Sequence, residues 1–111
     1  MKEGAVVLVA LAQADGKVKL RPAVALRQLP SFGDWLVCGV STQLHQAAAG
    51  FDGPVSTSDP DFRLSGLSQP SLIRLSFLQS VPLSTIMGRI GAISTERHQR
   101  LLANLVRHLT P

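Results

Sequence analysis

Three residues of this chain have the most chemistry to offer: Arg21, Ser41 and Thr42. A guanidinium grips phosphate oxygens through two parallel N–H donors and keeps its charge, and a hydroxyl can hydrogen-bond the same group. Such a set suits a reaction at phosphorus, where charge gathers on a pentacoordinate phosphate and fixed donors must stabilise it without a metal. Residue type alone does not separate Arg21 from a solvated strand residue, nor Ser41 and Thr42 from the polar end of a strand. Lys17, Lys19 and Arg74 could contact phosphates, with solvated surface an equal competitor, and Gln43 follows the hydroxyl pair directly.

The remaining polar residues offer less. His45, His98 and His108 lack metal-ligand spacing with any cysteine or carboxylate. His98 and His108 are expected on the solvated side of a terminal helix, and His45 could assist acid–base chemistry from its place four residues after Ser41. Asp52, Asp59 and Asp61 could suggest a cation site, but Gly53, Pro54 and Pro60 in the same stretch favour turn-forming aspartates. The single cysteine, Cys38, makes no internal disulfide or cysteine-based zinc site and reads as a small buried hydrophobe. No metal and no cofactor are expected.

These residues must be carried by one modest domain, residues 1–111. Hydrophobic content of 45% is enough for a core. Its aromatics are only Phe32, Phe51, Phe62, Phe77 and Trp35, so Leu, Val, Ile and Ala must fill it. The net charge of +4 fits a polyanionic partner, although small domains are often mildly basic without one. No stretch approaches the roughly 18 apolar residues of a membrane span. The apolar run Ala5–Ala12 resembles a leader only faintly, since Glu3 stands where basic residues belong. A cytoplasmic location follows as the expectation.

The positioning elements are mostly strands. Gly4–Leu11 reads as a strand buried on both faces, and Ala14-Asp15-Gly16 as a turn. A second strand runs from Lys19 to Leu29, with Val24 and Leu26 on one face and Arg21, Ala23, Ala25 and Arg27 on the other. A third spans Trp35–Thr42. From His45 to Asp61 a long loop with at most a helical turn is expected. Phe62–Leu64 could be a short strand. Leu72–Val81 alternates best, with Ile73, Leu75, Phe77 and Val81 on one face and Arg74, Ser76 and Ser80 on the other. Thr85–Ile90 could be a further strand. A C-terminal helix follows, capped by Ser94 or Thr95 and striped by Leu101, Leu105 and Leu109, with Leu102 and Val106 beside them.

Five ordered segments then carry a resemblance. Gly4-Ala5-Val6-Val7-Leu8-Val9 resembles the opening strand of the MazF/PemK toxins. Lys19-Leu20-Arg21-Pro22-Ala23-Val24 is similar to their Arg-Pro motif, and Trp35 to Gln43 to their third strand. Gly66-Leu67 with Pro70-Ser71-Leu72-Ile73-Arg74-Leu75, and Ile90-Gly91-Ala92-Ile93 before the final helix, complete the match. The resemblance implies a mostly β chain, a small SH3-like β-barrel with a C-terminal helix. It also implies the toxin of a type II toxin–antitoxin system: a metal-independent, sequence-selective endoribonuclease cleaving single-stranded mRNA. Arg21 takes the position of the catalytic arginine and Ser41 that of the catalytic hydroxyl, with Thr42 adjacent as a second candidate. Lys17, Lys19, Gln43 and Arg74 become candidate RNA contacts.

The implied partners are a second copy of the chain and a cognate antitoxin, with DNA met only through the antitoxin complex and no membrane. Three departures stand out: Ala5 for the usual acidic residue, Pro70 before Ser71, and Gln79-Ser80 in place of a basic-Thr pair. They bear on RNA preference more than on fold. The alternative is the same module without catalysis, binding RNA or protein only.

Overall fold

The computed structural model describes residues 1–111, and its strands follow the apolar pattern closely. Six strands form one antiparallel sheet: β1 (Ala5–Ala12), β2 (Val18–Gln28), β3 (Trp35–Ser41), β4 (Gly53–Val55), β5 (Ser71–Val81) and β6 (Ile86–Ala92), ordered β4-β5-β3-β2-β1-β6. A four-residue helix α1 (Phe62–Ser65) and the terminal helix α2 (Thr95–Leu109) complete it. The sheet curls into a half-barrel whose edges, β4 and β6, are not joined to each other. No helix is long and apolar enough to cross a membrane.

Alternation within β1 and β2 builds two cores, one on each face of the sheet. Val6, Val24, Leu26, Cys38, Val40, Ile73 and Leu75 lie under α2, which contributes Leu101 and Leu105. Val7, Val9 and Leu11 pack with Ala23, Ala25, Trp35, Val37 and Val81 on the other face. Alanines at 5, 23 and 25 keep that second layer thin, which lets the sheet curl over it.

The β1–β2 hairpin turns at Gln13–Lys17, where the Gln13 N–H donates to the Lys17 carbonyl at 2.7 Å and Gly16 takes φ +82°. At the far end α2 is capped by Ser94, whose Oγ accepts the Arg97 N–H at 3.1 Å. Of the expected helix stripe, Leu101 and Leu105 are buried, whereas Val106 and Leu109 are exposed. Helix α2 packs on the sheet through Leu101 and Leu105 and leaves the apolar residues of its last turn exposed.

Three local expectations are corrected. The long loop contains β4, whose Gly53-Pro54-Val55 pairs with Ser71–Ile73 at the sheet edge. Proline is tolerated there because an edge strand need not donate on both sides. Phe62–Leu64 is helical rather than extended, closed by Gly66 at φ +74°. Strand β5 is not one regular ladder: Cys38 pairs with Leu78 but Val40 pairs with Ile73, so residues 74–77 stand opposite Gly39 alone. Ile73 and Leu75 therefore belong to the core under α2, while Phe77 and Val81 pack in the other.

Candidate functional site

Register brings the candidate residues together. Ala23 pairs with Gly39 and Val24 with Cys38, and continuing that ladder by two residues sets Arg21 level with Ser41. On the other side of β3, Ser41 pairs with Leu72 and Val40 with Ile73, which brings Arg74 in from β5. Three adjacent strands thus present Arg21, Ser41 and Arg74 at one end of the sheet.

Two hollows adjoin this point. One, of about 310 Å³, is lined by Arg21, Ser41, Thr42, Gln43 and the Leu67–Gln69 turn, among others. The second, of about 370 Å³, is lined by Arg21, Ser41, Gln43, Arg74 and Phe77, with Gln13 and Gln46 at its margin. Arg21, Ser41 and Gln43 are common to both and form the ridge between them. Neither hollow contains a carboxylate: the smaller offers an anion the Arg21 guanidinium, the larger both Arg21 and Arg74, each with a set of neutral donors.

The ridge is preorganised. Ser41 is buried, and its Oγ accepts the Gln43 backbone N–H at 3.0 Å. That bond fixes the oxygen and leaves the hydroxyl proton free to be donated. Arg21 Nε and Arg74 Nε are buried with no hydrogen-bond partner within the protein. A buried unpaired donor is costly, and neither guanidinium is held in an ion pair, so both keep their charge for an anion in the hollows they line.

Other candidates fall differently. Thr42 is exposed and borders only the smaller hollow. Lys17 and Lys19 are exposed on the β1–β2 hairpin and line neither hollow. Lys19, two residues before Arg21, nevertheless falls on the same face of β2. His45 is exposed in a single 3₁₀ turn, Leu44–Gln46, and lines neither hollow, although Gln46 beside it does. Sequence reasoning missed Phe77 as a lining residue because it assigned the ring wholly to the core. The signal was Gly39: a Cβ there would stand 2.9 Å from the Phe77 ring, so a glycine in mid-strand marks where the ring lies across β3.

A larger hollow of about 540 Å³ surrounds Arg97 and has another character. The Arg97 guanidinium donates to Asp61 at 2.9 and 3.0 Å, to Asp59 at 2.9 Å and to the Pro54 carbonyl at 2.9 Å. Asp61 also accepts the Ser94 N–H at 3.0 Å. The Arg97 hydrogen bonds hold the Asp61 carboxyl down at about 2, and Asp59 is lowered first by the Ser56 N–H and then by Arg97. Each nitrogen of the Arg97 guanidinium is already hydrogen-bonded, so the cluster ties α2 to the β4–α1 segment.

The aspartates, expected to be turn formers, are therefore largely structural ligands of the chain itself. Asp52 is buried and accepts from the Ala48 and Leu75 N–H groups at 3.0 and 2.9 Å. His98, expected in solvent, instead lies 2.8 Å from the Leu26 carbonyl. His108 is exposed but rests on Phe51, with ring centroids 4.7 Å apart. Burial pushes the Cys38 thiol up to about 12, which makes it no nucleophile.

Residues 2–109 match the family described as PemK-like, MazF-like toxin of type II toxin-antitoxin system. Among solved structures the fold is similar to the Mycobacterium tuberculosis toxin MazF-mt6, at 21% identity and a TM-score of 0.64, covering 92% of this chain and 95% of that one. A second structure, described as a crystal structure of an Mtb toxin, aligns at 19% identity and a TM-score of 0.62, over 90% of this chain and 97% of the other. At such identities the likeness is one of fold. No curated protein matches the sequence.

Proposed function

The chain belongs to the PemK-like, MazF-like toxins of type II toxin–antitoxin systems, and from that premise we propose that it is a metal-independent endoribonuclease acting on single-stranded RNA. The observation that carries this reading is the ridge itself. Arg21, with a buried and unpartnered Nε, stands with an anchored Ser41 hydroxyl between two hollows free of carboxylates. A phosphodiester lying on the ridge would have a nucleotide on either side.

In the proposed reaction the ribose 2′-oxygen attacks the adjacent phosphorus as its proton passes to water, and the P–O5′ bond breaks as the 5′ oxygen takes a proton back from water. The products are a 2′,3′-cyclic phosphate and a 5′-hydroxyl. Arg21 stabilises the charge on the phosphoryl oxygens and helps proton transfer, while Ser41 donates its O–H to one of those oxygens. Between the two candidate hydroxyls the geometry favours Ser41, because Thr42 is exposed and lies to one side.

Cleavage of messenger RNA would stop translation and growth, and the antitoxin would hold the toxin silent in the cytoplasm by covering this same face. The proposed working form is a homodimer of single-domain chains that meets DNA only through the antitoxin complex. The test is cleavage of a long single-stranded RNA in EDTA by the wild type and by Arg21→Ala. Fragments ending in cyclic phosphate, lost in the variant, are expected. Intact RNA with folded, antitoxin-free wild type across several RNAs would instead leave a binding module without catalysis.

A further inference from the structure

The two hollows beside the ridge are unequal, and the difference has a chemical meaning. The smaller surrounds Arg21 with serine and threonine hydroxyls, two glutamines and the aliphatic Pro22, Val40 and Leu67. The larger adds a second guanidinium and an aromatic ring, Arg74 and Phe77. Both come from the irregular stretch of β5, residues 74–77, that stands opposite Gly39. An unbroken ladder would have kept Phe77 on the face of Ile73 and Leu75, under α2. The irregularity moves the half-buried ring to the other core, across the backbone of Gly39, where it lines the hollow.

Arg74 has little to do within the protein. Its Nε is buried without a partner, and its only side-chain hydrogen bond is a long one, 3.5 Å from Nη2 to the Ser76 Oγ. No carboxylate lines the hollow to pair with it. A partly buried guanidinium in that state is poised for an anion, and Arg21 already claims one on the ridge.

We propose that this larger hollow is a nucleotide subsite, in which Arg74 holds the phosphate adjoining the one at Arg21 and the Phe77 ring stacks on the intervening base. The inference rests on the reading of the ridge as an RNA site. It adds a direction to that site: substrate is gripped on the Arg74–Phe77 side and held more loosely on the Leu67–Gln69 side. Arg74 and Phe77 are binding residues here, and the bond-breaking stays with Arg21 and Ser41. One base stacked on an aromatic ring is a sequence-tolerant contact, so the subsite contributes affinity more than base identity.

The test uses fluorescent RNA oligonucleotides blocked by a 2′-O-methyl group at the cleaved position, so that binding is read without turnover. Anisotropy titrations over a salt series compare wild type, Arg74→Gln, Arg74→Lys and Phe77→Leu, after circular dichroism has shown each to be folded. Arg74→Gln is expected to weaken binding and to flatten the slope of log affinity against log salt by about 0.7, the share of one phosphate contact on a single strand. Arg74→Lys should restore the slope. An oligonucleotide with one abasic position next to the blocked site should bind wild type at least about fivefold more weakly. With Phe77→Leu that penalty should vanish.

An unchanged salt slope in Arg74→Gln, or an abasic penalty that persists in Phe77→Leu, overturns the subsite. The EDTA cleavage assay on unblocked RNA is run in parallel. RNA that stays intact while the Arg74 and Phe77 effects appear removes the nuclease reading and leaves the subsite standing.

Discussion

Arg21 and Arg97 show how surroundings decide what a guanidinium is for. Arg97 is enclosed by Asp59, Asp61 and a carbonyl, whereas Arg21 faces hollows with no acid at all. Removing one partner from the first set leaves a buried charge undercompensated. Asp61→Asn is expected to cost about 3–5 kcal/mol, read as a lower urea midpoint with unchanged slope. The pH dependence follows from the same bond. Asp61 is held at about 2 when folded, below its unfolded value of about 3.9. Its contribution is therefore complete above about pH 5 and drains away as pH falls toward 2. The acid-unfolding curve of Asp61→Asn should lose that part of its slope. At the ridge, Ser41→Ala should slow RNA cleavage by about a hundredfold or more, as losing an aimed donor to a phosphoryl oxygen does. Thr42→Ala should stay within a few-fold, and the reverse pattern would move the chemistry to Thr42.

Strands β1, β2 and β3, the hairpin at Gly16 and helix α2 are legible in the sequence because each is marked locally, by a run of apolar and β-branched residues, by a glycine turn or by a stripe near 3.6 residues. The rest was hidden where local pattern and tertiary pairing diverge. Gly53-Pro54 reads as a loop, and only pairing with Ser71–Ile73 makes it β4. The β5 irregularity leaves alternation on paper intact while moving Phe77 between cores, so the ridge residues could be named but not the lining of the larger hollow. Gly39 is the point to press. Gly39→Ala would set a Cβ 2.9 Å from the Phe77 ring, and a cost of about 1–3 kcal/mol is expected. RNA affinity should fall with it even at temperatures where the variant stays folded. A second close approach joins α1 to β6: a Cβ on Gly66 would run into the Ile90 carbonyl, and one on Gly91 into the backbone of Leu64 and Ser65. Gly66 also takes φ +74°, so Gly66→Ala combines strain with collision, and thermal unfolding should show it among the least tolerated glycine substitutions.

Taken whole, the molecule is a thin curled sheet with a separate apolar layer on each side, joined through the backbone they share. Leu101, 1% exposed, is the main weight that α2 places on its layer. Leu101→Ala should cost about 2–5 kcal/mol by denaturant titration. The chain has one tryptophan and one cysteine, and they fall in different layers: Trp35 with Val37 and Val81, Cys38 with Leu26 and Leu75. Each is shut away, and the thiol is further silenced by its raised pKa. Nature has thus installed two reporters three residues apart that look in opposite directions. Indole emission follows one layer, and trapping of the thiol by a maleimide follows the other. One shared midpoint means that the sheet melts as a single unit. A thiol that becomes trappable first means that the helix lifts away while the curl survives.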